Sequence, residues 1–153
     1  MKYLMLAAIF TFGSFSTLYA QKQSAPAAVW SAFRAKFPNV QKVKWDEAHK
    51  GEWEAEFKMA GTERSAVFSR DGIWIETETE IQVAGLPAAV QRAVTAQFTG
   101  YKIEEAAMVE TPGLAMGYEV GLEKGGATIE ALFSSAGTLI RQMSETQEDN
   151  DNN

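Results

Sequence analysis

The 153-residue chain contains no cysteine. That excludes disulfides, thiolate metal sites and a lipid-modified N-terminal cysteine. It has a single histidine, His49, beside Lys50-Gly51 in a predicted turn. Nucleophilic catalysis needs a base beside a nucleophile and a carboxylate to orient it, and no spacing here offers that set. There is no His-x-x-x-His pair and no Gly-Lys-Ser/Thr phosphate loop. The residues therefore point to a non-enzymatic protein with no catalytic group, no metal ligand set and no cofactor. Basic residues are also in short supply: 14 Lys and Arg stand against 20 Asp and Glu, a formal charge of −6. A nucleic-acid partner would need a basic footprint, and an anionic membrane surface would repel this balance.

The longest apolar run, Leu4 to Phe15, is too short to span a bilayer comfortably. Lys2 precedes it and Leu18-Tyr19-Ala20 follows, so residues 1–20 read as a secretory signal peptide. The mature chain is expected to start near Gln21, in the bacterial periplasm or outside the cell, with no stable membrane anchor after cleavage. Glu145, Glu148, Asp149 and Asp151 crowd the other end, and residues 144–153 are expected to form a disordered acidic tail. Between these ends, residues 21–143 form one expected domain.

That domain says nearly the same thing twice. Pro26-Ala-Ala-Val-Trp-Ser-Ala-Phe-Arg-Ala-Lys-Phe37 reappears as Pro87-Ala-Ala-Val-Gln-Arg-Ala-Val-Thr-Ala-Gln-Phe98, and Val67-Phe-Ser-Arg-Asp-Gly72 as Leu132-Phe-Ser-Ser-Ala-Gly137. Helical spacing puts Val29, Ala32, Phe33 and Phe37 on one face, and Val90, Ala93, Val94 and Phe98 on its counterpart. Alternation marks strands through Val43 and Trp45, through Trp53, Ala55 and Phe57, through Ala66 and Phe68, and from Ile73 to Ile81. The second copy places strands at 103–109, 117–122, 128–133 and 138–143. The expected fold class is α+β: two tandem repeats, 26–81 and 86–143, each one helix followed by 3–4 antiparallel strands. The helices should pack on one face of the sheet, and the halves should share one sheet or pack tightly.

Several spaced positions together resemble a known family. They are Pro26, Val29, Phe37-Pro38, Val43, Trp45, Trp53, Phe57, Phe68 and Asp71-Gly72, followed by Leu86-Pro87, Val90, Tyr101-Lys102-Ile103, Tyr118-Glu119-Val120 and Gly137. The pattern resembles the PepSY-like proteins, also described as β-lactamase-inhibitor-like (BLIP-like), which are small exported bacterial proteins. The resemblance implies helices on antiparallel sheet and a periplasmic or extracellular home. It carries over no binding residue, because the matched positions are core and turn positions, and a shared fold does not transfer function.

Strict alternation sets Trp74 beside Glu76, Glu78 and Glu80, away from Ile73 and Ile75. An exposed Trp on a polar face is a common anchor for partners, so these four residues form the expected binding surface. The competing reading packs Trp74 against the rest of the protein. Its counterpart is Leu139. Trp30, whose counterpart is Gln91, is expected at the core's edge, and Trp45 and Trp53 inside it. Glu54 and Glu56 should lie on the same face as the Glu76 series. Such a face could gather oxygens for a cation, although flat sheets rarely converge enough of them, and Lys58 and Arg64 could pair with these acids across strands. Asp71-Gly72 reads as a hairpin turn. The expected function is a non-enzymatic periplasmic or secreted binding module, possible as a protein or peptidase inhibitor, that recognises a protein or peptide on the exposed sheet face. The alternative is a small-ligand or cation-binding carrier using a cleft or carboxylate face between the repeats.

Overall fold

The computed structural model describes residues 24–49 and 51–145. Residues 1–23, which include the expected signal peptide, Lys50 and positions 146–153 of the expected tail lie outside the described residues. The chain divides between Thr79 and Glu80 into two compact units. The first holds helix α1 (Ala27–Lys36) and strands β1 (Val43–His49), β2 (Glu52–Met59), β3 (Thr62–Ser69) and most of β4 (Trp74–Ile81). The second holds a 3-10 turn (Val83–Gly85), helix α2 (Ala88–Gln97) and strands β5 (Lys102–Thr111), β6 (Leu114–Lys124), β7 (Ala127–Ser134) and β8 (Leu139–Glu145). The last strand runs to Glu145, two residues into the expected tail.

The fold class expected from the sequence needs correction. The protein is mostly β: a single eight-stranded sheet, ordered β1 to β8 as in the sequence, with two helices of 10 residues. It is not an α+β pair of tandem helix-plus-strand repeats. Alternation of side chains marks a strand, but the extent of a sheet is set by main-chain pairing, which leaves no side-chain signature.

In the first unit α1 starts after Pro26, whose missing N–H costs nothing at a helix start, and stops at Phe37 before Pro38. It buries Val29 and Phe33 against Trp45, Trp53, Ala55, Phe57, Ala66 and Phe68. The Phe33 ring lies 5.3 Å from Trp45, 5.1 Å from Phe57 and 6.3 Å from Phe68, each near edge-to-face. That geometry suits ring quadrupoles, and truncating Phe33 to Ala should cost about 3–5 kcal/mol. In the second unit α2 buries Val90 and Val94 against Ala106, Val120, Leu122, Ala131 and Phe133.

Each unit's third and fourth strands are joined by a turn that explains the repeated Phe-Ser-x-x-Gly sequence. Ser69 Oγ accepts from the Ile73 N–H at 3.1 Å, and Ser134 Oγ from the Thr138 N–H at 3.2 Å. Gly72 and Gly137 have φ of +83° and +82°, and each lies against its unit's helix. A Cβ at Gly72 would sit 2.6 Å from the Ala28 carbonyl oxygen, and one at Gly137 2.5 Å from that of Ala89. Only glycine supplies both that dihedral and that clearance.

The β3–β4 pairing contains a register shift: Val67 faces Glu76, whereas Phe68 faces Trp74. One extra residue, Ile75, is accommodated on β4. A bulge of this kind reverses the side-chain sides beyond it. Trp74 therefore belongs to the helix side with Phe68, not to the side of Glu76.

Candidate functional site

Strand register builds the site from the first unit's face opposite α1. Asp46 on β1 faces Glu54 on β2, Glu54 faces Val67 on β3, and Val67 faces Glu76 on β4. The next row runs Lys44, Glu56, Ser65 and Glu78. Five carboxylates and one lysine thus share this side of four strands. The Lys44 ammonium donates to Asp46 at 2.8 Å and to Glu56 at 3.0 Å. These pairs raise the Lys44 pKa, the hydrogen bond to Asp46 most. They are solvent-exposed and contribute little to stability.

Glu54 is the electrostatic centre of the arrangement. Burial pushes its pKa up to about 6, and the charges of Glu56 and Asp46 push the same way, against Lys44. Asp46 stands directly opposite it, a like-charge juxtaposition that disfavours the ionised form. Among the described residues, no three His, Asp or Glu side chains converge to hold a metal ion.

The second unit holds an instructive counterpart. Glu119 on β6 faces Leu132 on β7, and Leu132 faces Arg141 on β8. These positions follow Glu54, Val67 and Glu76 by 65 residues each. Here the chain supplies its own cation: Arg141 donates to Glu119 at 3.0 Å. Burial still raises the Glu119 pKa, with the Arg141 charge and hydrogen bond opposing it. Where Arg141 stands in the second unit, the first carries Glu76.

The four residues expected to form an exposed surface are not brought together in that way. Trp74 is half-buried on the helix side, packed against the first unit's core. Its Nε1–H donates to Thr77 Oγ1 at 2.9 Å, and the Lys36 ammonium sits 3.4 Å from its ring centroid. Glu76 and Glu78 are only 1% and 3% exposed. Glu80 alone of the four is exposed. The sequence reading did place Glu54 and Glu56 with the Glu76 series, as the register requires. It missed Asp46, Lys44 and the Glu119–Arg141 pair. Setting Arg141 against Glu76 at the 65-residue offset would have exposed the contrast.

Residues 49–141 match the family model described as beta-lactamase-inhibitor-like, PepSY-like. Three solved structures share the fold. A candidate periplasmic protein from Bacteroides eggerthii DSM 20697 is 24% identical with a TM-score of 0.69, over 84% of this chain and 94% of that one. A DUF2874 family protein from Bacteroides ovatus ATCC 8483 is 21% identical with a TM-score of 0.68, over 80% and 89%. A BLIP-like protein from Bacteroides fragilis NCTC 9343 is 24% identical with a TM-score of 0.67, over 84% and 92%. No functionally curated protein matches the chain.

Proposed function

The chain belongs to the beta-lactamase-inhibitor-like, PepSY-like family, and from that premise we propose that it is a non-enzymatic binding module of the bacterial periplasm. It recognises a cationic stretch of a protein or peptide on the carboxylate face of β1 and β2. The observation that carries this reading is Glu54. Its pKa is raised to about 6 by burial and by two neighbouring acids. An incoming guanidinium or ammonium would favour its ionised form, as Arg141 opposes the rise at Glu119. The exposed Asp46 and the half-exposed Glu56 form a broad rim suited to a chain segment rather than to a deep substrate pocket. A periplasmic home accords with the signal-like residues 1–20.

The test is a titration of the purified protein with an arginine-rich peptide and with an acidic peptide of equal length, repeated with Glu54→Gln. The cationic peptide should bind selectively, and more tightly as pH rises through about 6. Glu54→Gln should weaken it about fivefold, as expected for one partly solvated charge pair. Equal binding of both peptides, or no change in Glu54→Gln, would overturn this reading.

A further inference from the structure

We propose that Met116 is a site of oxidation by peroxides in the folded protein, and that Tyr118 decides which of the two sulfoxide epimers forms there. With no cysteine in the chain, the thioethers are the sulfur groups left to take up oxygen. The described residues include four methionines. Met59 and Met108 are half-buried, whereas Met116 and Met143 are 48% and 37% exposed. A sulfoxide is polar and disrupts packing where the methionine belongs to a core. At Met116 the added oxygen can point into water, so oxidation there is both accessible and compatible with the fold.

A hydrogen-bond donor stands beside the sulfur. Met116 and Tyr118 are two residues apart on β6 and so share a side of the sheet. The Tyr118 hydroxyl donates to Met116 Sδ at 3.3 Å. Tyr118 packs against the second unit's core, between Met108 on β5 and Phe133 on β7 in register, which holds the donor in place. The pair is particular to this unit, because at the 65-residue offset the first carries Gly51 and Trp53. A thioether sulfur has two lone pairs, and a phenol bonded to one makes them inequivalent. The bonded pair is closed to an oxidant, and the other is left to one arriving from solvent.

The step is a two-electron oxygen transfer. The free lone pair attacks the outer oxygen of hydrogen peroxide, an S–O bond forms and the O–O bond breaks. The departing hydroxide takes the proton carried by the transferred oxygen and leaves as water. Sulfur is oxidised to the sulfoxide and the peroxide is reduced. The sulfur becomes a stereocentre, so attack on one lone pair gives one epimer, and each epimer has its own methionine sulfoxide reductase.

The test treats the purified protein with hydrogen peroxide at neutral pH and follows each methionine by peptide mass mapping. Met116 should oxidise at least about threefold faster than Met59 and Met108, as its exposure requires, with the near-UV circular dichroism unchanged once Met116 is converted. The two stereospecific reductases, applied separately to the digested protein, should reveal one epimer at Met116 in at least about threefold excess, a bias within what one net hydrogen bond supports. Tyr118→Phe keeps the packed ring and removes only the hydroxyl. In that variant the epimer ratio at Met116 should fall to about one, while the ratio at Met143 stays as in the unaltered protein. Oxidation of Met59 or Met108 ahead of Met116, equal epimers at Met116, or an excess that survives Tyr118→Phe would each overturn the assignment.

Discussion

Replacing Gly72 by alanine tests the packing of the β3–β4 turn on α1. Two costs combine. An alanine at φ +83° occupies the left-handed region at about 1–2 kcal/mol. Its Cβ would also lie 2.6 Å from the Ala28 oxygen and 3.0 Å from its carbon. Those atoms are helix backbone, and the helix is held down by Val29 and Phe33, so neither side of the contact yields cheaply. Overpacking of this kind adds about 1–3 kcal/mol, for a total of about 2–5 kcal/mol. Gly61 is the control: its φ is +85°, yet a Cβ there would meet nothing within 4 Å. Gly61→Ala should therefore cost only the dihedral term. For a domain of this size the difference corresponds to about 5–10 °C in Tm. Urea unfolding and thermal melts of both variants, with Gly137→Ala as a repeat of the test in the second unit, measure it directly. If Gly72→Ala and Gly61→Ala prove equally stable, the close approach of turn to helix is not what demands glycine.

Three further outcomes follow from the charged residues and from Trp74. Glu54 has its pKa raised from 4.5 to about 6, so the folded state holds its proton more tightly than the unfolded chain. Its stabilising contribution is present below about pH 4.5 and is lost as pH rises through about 6, a change of about 2 kcal/mol. Glu54→Gln should flatten that part of the stability–pH curve and make the protein more stable at pH 7. Arg141→Met should destabilise by about 3 kcal/mol because it leaves Glu119 buried without its cation, and adding Glu119→Met should recover most of the loss in the same urea assay. Trp74→Ala should lower stability by about 2–4 kcal/mol through lost packing against the first core, so any lost binding in that variant must be compared at matched folded fraction.

The helices and the buried sides of most strands are legible in the sequence because their periodicities are uninterrupted. Val29, Phe33 and Phe37 recur at helical spacing, and Trp53, Ala55 and Phe57 alternate without a break; all six are buried. Trp74 is misplaced by the same logic because strict alternation assumes one residue per ladder position. The shift at Val67/Phe68 breaks that assumption, and a bulge has no fixed residue signature when its extra residue is an ordinary Ile75. Burial of Glu76 and Glu78 is illegible for a different reason. Their residue type argues for solvent, and nothing in the alternation marks them as exceptions.

The 65-residue offset separates what packing constrains from what it leaves free. On the helix side the paired positions keep their roles: Phe68 and Phe133 fill the two cores, Ser69 and Ser134 brace the two turns, and Gly72 and Gly137 clear the two helices. Close-packed interiors tolerate little change in shape, and those positions have little room to diverge. The opposite side is buried too at Val67, Glu76 and Glu78, yet there the two units differ in the sign of a charge. Glu119 meets Arg141, whereas Glu54 shares its row with Asp46 and Glu76. The second unit shows that the same row folds with an arginine in the place of Glu76. A feature that costs stability at neutral pH and has a balanced counterpart in the same chain is where a binding role is best sought.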